Sequence, residues 1–369
     1  AFAPANVFAA ATFTNTDALS VKYHALTILQ QLLNLHLQSG NIPALIDADL
    51  KRLSFVRQTS VLPDKEERYF KSLLNLEKQY IADTASANIS YEIAGYYNQL
   101  ADKYIPDQNE LNKFDRKKAI EICNATIARF PKSRGANNCA VLKDQMMSKS
   151  LSFTMEQANQ PETPIRAVVN YRNVQKIYGK IVDLTPEMEA KALNFDRDDK
   201  MLEYYNSLPA LTTWSVALPD DGDYQTHAAE IQIPKSGIGK LLVMLATNDN
   251  FSYDREALTW HITNITNLSC ISRAVEDKVD YFAISRFNSQ PLPGIDYVIS
   301  IEEYNYNSRK YETKTLKSGK TDANGSFSYT KPKDFYANLD VTLTQDKDKF
   351  STSQYTYNYY NEPQNTTQT

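Results

Sequence analysis

The stretch that decides the architecture is Gln160-Pro161-Glu162-Thr163-Pro164, followed by Ile165-Arg166-Ala167-Val168-Val169-Asn170-Tyr171. The two prolines cannot continue a helix, and the seven residues after them alternate apolar with polar or outward positions. Upstream the apolar residues recur every three or four positions. Downstream they recur every second position. The chain therefore reads as a helical domain over 1–158, a first β-sandwich over 159–266, a second over 267–360, and a polar tail over 361–369.

Upstream, Leu19, Tyr23, Leu26, Leu29, Leu33 and Leu37 predict an amphipathic helix ending near Gly40. Asn41-Ile42-Pro43 opens a second, and Pro63-Asp64-Lys65-Glu66-Glu67 a third carrying Tyr69, Leu73, Leu76 and Tyr80. A fourth is expected over Ile89 to Tyr104, a fifth over Phe114 to Phe130 and a sixth over Ala136 to Ser150. Helices of this length with aromatic and alanine knobs suit either tetratricopeptide-like pairs or a plain bundle, and no strict repeat separates the two.

Downstream, Val174 to Leu184 reads as a strand, and Thr185-Pro186-Glu187 opens a helical insert reaching Leu208. Short strands follow at Trp214–Leu218, Ala228–Ile233, Leu241–Thr247 and Leu258–Ile265. The second block gives about seven more, from Ser269 to a last strand at Tyr355–Tyr359, with Thr321-Asp322-Ala323-Asn324-Gly325 as a hairpin turn. The fold class is thus α+β and multidomain: an N-terminal α-helical domain followed by two antiparallel β-sandwich domains.

Composition excludes several function classes. The 369 residues carry 40 Lys+Arg against 44 Asp+Glu, a net charge of -4, which disfavours a nucleic-acid binder. Ten glycines fall well below the usual ~7%, and no Gly-rich phosphate cradle is visible. Tyr is abundant at 24 and Trp scarce at 2, which suits strands and protein surfaces. No apolar run reaches the ~18 residues of a membrane span.

No constellation of catalytic or metal-binding residues emerges. His24, His36, His227 and His261 are too far apart in sequence for a zinc motif. Asp220, Asp221 and Asp223 fail calcium-loop spacing, because position twelve is Ile231, and a solvated turn is expected there. No Gly-x-Ser-x-Gly elbow occurs. Cys123, Cys139 and Cys270 show no Cys-x-x-Cys pair; two buried free thiols are expected at Cys123 and Cys139, with a cross-helix disulfide as the alternative. No catalytic, cofactor or metal residue is assigned, and the chain is expected not to be an enzyme. The candidate interaction surface is tyrosine: Tyr96, Tyr97 and Tyr104 in the helical part, and Tyr355, Tyr357 and Tyr359 at the end.

One ordered set of motifs resembles a known family. Tyr171-Arg172-Asn173 lies in Pro164–Tyr178, Leu268–Arg273 reads Leu-Ser-Cys-Ile-Ser-Arg, and Pro291-Leu292-Pro293-Gly294 precedes Asp322-Ala323-Asn324-Gly325-Ser326-Phe327. This order is similar to the N-terminal region of Bacteroidetes-type bacterial α2-macroglobulin-like proteins, with a macroglobulin-like domain followed by a carboxypeptidase-regulatory-like one. The resemblance implies an exported scaffold, periplasmic or outer-membrane-associated. Its partners would be the rest of a longer chain and, through it, proteases, with no nucleic acid and no transmembrane segment here. The family's Cys-x-Glu-Gln thioester is not present: none of the three cysteines is followed by Glu-Gln at that spacing. The trapping chemistry would then lie outside these residues. The alternative is an exported surface protein that binds a glycan or peptide.

Overall fold

The computed structural model describes residues 1–14, 16–17, 19–252, 256–333 and 335–357. Two compact units emerge. The first contains Ala1–Ser150 with two short segments from further along, Tyr171–Gln175 and Pro219–His227. The second contains the remaining residues.

The first unit is helical: α1 (Ala5–Ala9), α2 (Val21–Ser39), α3 (Ile42–Thr59), α4 (Lys65–Tyr80), α5 (Ser86–Ala101), α6 (Asp115–Arg129) and α7 (Arg134–Met147). The ends follow local chemistry. The Ser20 hydroxyl, the Asn41 amide oxygen and the Ser133 hydroxyl each accept a backbone N–H of the first turn. Gly40 closes α2 with φ at 66°, where a side chain would be strained. Each helix packs on its chain neighbours, and α5 touches α7 as well as α6. Three apolar clusters result, around Leu33 and Phe8, around Leu53, Leu73 and Ile93, and around Ala119, Cys123 and Cys139. At Gly135 the start of α7 meets α5 so closely that a Cβ would stand 2.1 Å from the Ala87 carbonyl carbon.

The strand region begins before the proline-rich stretch, not after it. In chain order it comprises β1 (Ser150–Met155), β2 (Ala158–Asn159), β3 (Ile165–Arg172), β4 (Lys176–Asp183), α8 (Pro186–Leu193), α9 (Asp198–Ser207), β5 (Thr212–Ala217), β6 (His227–Ile233), β7 (Gly239–Ala246) and β8 (Leu258–Ile265). The helical boundary expected at 158 therefore moves back to Met147, because Leu151 to Met155 already alternates. Gln160 is not a free linker either: its side chain donates to the Arg286 carbonyl at 2.8 Å.

A three-stranded sheet runs β1-β3-β6 and a five-stranded sheet runs β2-β8-β7-β4-β5. Strand β7 is buried at every position from Leu241 to Ala246. Its Leu242, Met244 and Ala246 pack with Ala192, Leu202 and Tyr205 of the α8–α9 layer. Leu241, Val243 and Leu245 point to the opposite face. A strand covered on both sides can be apolar throughout. The three-stranded sheet buries one face only, through Ile165, Ala167 and Val169 of β3 and Ile231 and Ile233 of β6.

The second sandwich comprises β9 (Leu268–Val275), β10 (Lys278–Ser285), β11 (Asp296–Asn305), β12 (Lys310–Lys320), β13 (Ser326–Thr330), β14 (Tyr336–Gln345) and β15 (Asp348–Tyr357). Its sheets run β13-β10-β9 and β12-β11-β14-β15. Tyr281 and Phe327 of one sheet stack with Tyr297 of the other, at 5.1 and 4.1 Å between ring centres. Two expectations are corrected here. The Asn324-Gly325 turn joins strands of different sheets and is not a hairpin. The Asp322 carboxylate accepts from the Asn324 and Ser326 amides, and the Gly325 carbonyl turns onto the Ala283 amide of β10. The last strand begins at Asp348, because Asp346, with φ at 54°, closes a tight turn on β14.

Candidate functional site

The helical tyrosines do not form one exposed face. Tyr96 is 8% exposed and stacks on Phe70 with centres 4.6 Å apart. Its hydroxyl donates to the Glu66 carbonyl, and the Arg57 guanidinium lies over its ring and that of Tyr69. Tyr97 is half-buried, edge-on to Phe70. Burial pushes the Tyr69 hydroxyl up to about 12, and raises those of Tyr96 and Tyr104. The helix expected to reach Tyr104 ends at Ala101, and Tyr104 sits half-buried in the following turn. This group is core packing with cationic lids, so Tyr96 is corrected from surface to interior.

At the other end Tyr355 is 63% exposed on β15. Tyr357 closes that strand, with its side chain outside the described residues, and Tyr359 lies outside them altogether. A better-formed exposed aromatic group was missed by sequence reasoning. Tyr304, Tyr306 and Tyr311 flank the β11–β12 turn at 39%, 85% and 71% exposure, edge to face at 5.1 and 5.3 Å. The signal was present as Tyr304-Asn305-Tyr306 and Tyr311 around the polar Asn307-Ser308-Arg309.

The Tyr171-Arg172-Asn173 motif gains a clear role within the first unit. The Tyr171 hydroxyl donates to the Pro219 carbonyl at 2.8 Å. Arg172 donates to the Ser148 hydroxyl at 3.0 Å. Asn173, at φ 57°, donates to the carbonyls of Met146 and Ser148 at 2.8 and 3.0 Å. Those carbonyls belong to the end of α7 and the residue after it, which have no helical donor. The motif therefore caps a helix from far along the chain.

Beside it, Arg116 is 7% exposed and donates to Asn98, Asp102, the Tyr224 carbonyl and the Gln225 amide oxygen. Gln225 in turn donates to the carbonyls of Ala101 and Lys113. The aspartates of this loop are all engaged. Asp220 accepts from Gln175 and the Gly222 amide, and Asp221 pairs with Lys113 at 2.8 Å. Hydrogen bonds from Gln175 and Lys113, respectively, hold both carboxyls below their ordinary range. Asp223, 1% exposed, accepts from the Gln225 amide and meets His227 at 2.9 Å. The loop is thus a fastened one, and Asp223 is interior rather than solvated.

In the second unit a groove of about 780 Å³ is lined by Thr154, Glu156, Asn159, Arg166, Glu230 and Arg286, among others. Arg166 pairs with Glu230 at 3.6 Å. Arg286 bridges the two sandwiches: its side chain donates to the carbonyls of Ala158 and Leu268 and lies over Phe350, while its backbone N–H donates to Asn267. Asp348 accepts from the Asn267 amide at 2.8 Å. Burial lowers the Arg286 guanidinium below its ordinary range. No histidine is among the residues lining the groove. Among the described residues no three His, Cys, Asp or Glu side chains converge where a metal ion could bind, and no helix is long and apolar enough to cross a membrane.

No protein-family model and no curated protein matches the chain. Among solved structures it is similar to native α2-macroglobulin from Escherichia coli over domains MG0-NIE-MG1, at 16% identity and a TM-score of 0.38. That match covers 56% of this chain and 64% of the other. The NIE-MG1 structure of the same protein gives 15% identity, TM-score 0.37, and covers 56% of this chain and 97% of the other. Red sea bream transglutaminase gives 12% identity, TM-score 0.26, and covers 60% and 33%.

Proposed function

We propose that this chain is a non-catalytic scaffold segment of an exported macroglobulin-like protein, with any protease-trapping chemistry carried by residues outside it. The observation that supports this most is the use made of Tyr171-Arg172-Asn173. All three polar side chains bond to the chain itself, Arg172 and Asn173 at the end of α7 and Tyr171 at Pro219. Arg116 and Arg286 are used in the same way. These polar groups fix segments of the chain within each unit, which is consistent with a scaffold.

The test uses the full product of the gene that encodes these residues, incubated with proteases of differing specificity. A trap leaves cleavage of a small chromogenic peptide intact and suppresses cleavage of casein, with the protease retained in a stable complex on size exclusion. Equal cleavage of both substrates, with no complex, would overturn the reading. The exposed Tyr304, Tyr306 and Tyr311 group supports a second reading, a surface protein that binds a glycan or peptide. Glycan and peptide arrays probed with the 369-residue chain and with Tyr306→Ser separate the two.

A further inference from the structure

Cys123 on α6 and Cys139 on α7 are both 0% exposed. They belong to one apolar cluster, with Ala94, Ala119, Ile120 and Met146 around them. Helices α6 and α7 pack along one another. Both are free thiols, and the two side chains share that one small cluster where α6 meets α7. The neighbouring Cys139 and then burial push the Cys123 thiol up, while Cys123 as neighbour brings that of Cys139 down. Cys270 stands apart on β9 in the other unit, half-buried, its thiol raised to about 11 by burial.

We propose that Cys123 and Cys139 are a cross-linking pair, joined as a disulfide between α6 and α7 when the chain folds in an oxidising compartment. Disulfides need Cβ atoms about 3.5–4.5 Å apart, which is within reach of two residues that share one buried cluster on helices packed along one another. The co-reactant is another disulfide, small or protein-borne. One cysteine thiolate attacks it, expels one thiolate and forms a mixed disulfide. The second cysteine thiolate then attacks the protein-side sulfur and expels the other. Two protein thiols are oxidised, one disulfide is reduced to two thiols, and the protons pass to the departing thiolates.

Burial fixes the timing. Neither sulfur is reachable in the folded unit, so exchange occurs while α7 is not yet docked on α6. A folded, reduced chain should therefore resist an oxidant that a refolding chain accepts. The cross-link closes a loop from Cys123 to Cys139, and for a loop of this size the chain-entropy effect corresponds to a rise in melting temperature of about 5–10 °C. The occurrence of the bond in the cell rests on the proposed export; its formation in the test tube does not.

The experiment is a thiol count on the full chain. Reduced, urea-unfolded protein is refolded in excess oxidised glutathione with a little reduced glutathione, quenched, and titrated under denaturing conditions. The expected result is one free thiol, Cys270, out of three, with a peptide map joining residues 123 and 139. Cys123→Ser and Cys139→Ser each abolish that linked peptide and the gain in melting temperature. Three free thiols after refolding, or a link that uses Cys270, overturns the proposal. If a variant fails to fold, the wild-type count and peptide map decide alone. Protein isolated from its own host under acid quench gives the separate reading. Three free thiols there, with one after refolding in vitro, overturns export and leaves the pair intact.

Discussion

Replacing Arg116 by Ala should unfasten the 219–227 loop from the helical unit. Its guanidinium supplies donors to the Tyr224 carbonyl at 2.9 Å and the Gln225 side chain at 3.1 Å. Without it those two acceptors are left in a site where Gln225 is 5% exposed. Each buried acceptor without a donor costs about 1–3 kcal/mol. Of its other two partners, Asn98 and Asp102, the Asp102 side chain is 66% exposed and rehydrates, so its ion pair adds at most ~1 kcal/mol. The sum is a loss of about 2–7 kcal/mol from the helical unit, a range that includes the cost of breaking a buried charged contact. Arg116→Lys keeps the charge without the planar fork and should lose about half of that. Urea unfolding measures the loss, and hydrogen exchange of the 219–227 amides locates it. A loss below ~1 kcal/mol with unchanged exchange in that loop would refute the argument that Arg116 ties it down.

Three other outcomes follow from the same reasoning. Gly135→Ala places a Cβ 2.1 Å from the Ala87 carbonyl carbon and 2.3 Å from its oxygen, backbone that cannot swing aside, so α7 must lift from α5. Thermal unfolding should show a loss of about 2–3 kcal/mol, whereas Gly95→Ala, with no atom near its Cβ position, should show none. Asn173→Ala removes two hydrogen bonds and places at φ 57° a residue that tolerates the left-handed region less well than Asn, for about 2–3 kcal/mol in urea unfolding. Asn173→Gly should restore only the backbone share. Burial first, against the Tyr69 hydroxyl and Arg57, raises the Glu92 carboxyl above its ordinary 4.5. A raised acid binds its proton more tightly folded than unfolded, so the ionised form weakens the fold above its folded value and the penalty is gone below pH ~4.5. Glu92→Gln should therefore be more stable than wild type at pH 7, and stability curves of the two should converge in acid; a gap that persists at pH 4 contradicts this.

The elements legible in the sequence were those whose own periodicity carries them. Leu26, Leu29, Leu33 and Leu37 place α2, and the alternation Ile165, Ala167, Val169, Tyr171 places β3, whose buried positions are those four. The strand expected at Leu241–Thr247 is also present, but its burial on both faces was not read from the sequence. What stayed hidden depended on distant partners or on unusual turns. Asp346-Lys347 carries no glycine, so the β14–β15 turn gave no signal, although Asp tolerates positive φ. Tyr96 belongs to a helix face that periodicity cannot assign to core or surface; stacking on Phe70 decides it. Nothing near Pro219-Asp220-Asp221-Gly222-Asp223 announces that its loop joins the helical unit, because the donor that makes it do so, Arg116, lies 108 residues away from Tyr224.

That pattern bears on function. A polar side chain kept buried for chemistry is normally left with an unsatisfied valence toward a cavity where a substrate can complete it. Arg116 and Asn173 instead hand their donors to backbone carbonyls of other segments. Such bonds have no reason to be altered in a reaction, and each one fixes where a loop or a strand end can be. Accordingly the substitutions of Arg116 and Asn173 are expected to change stability and local exchange, while leaving any ligand bound through Tyr306 unaffected. Loss of glycan or peptide binding in Arg116→Ala at a temperature where it remains folded would instead show that the fastened loop is part of a binding site.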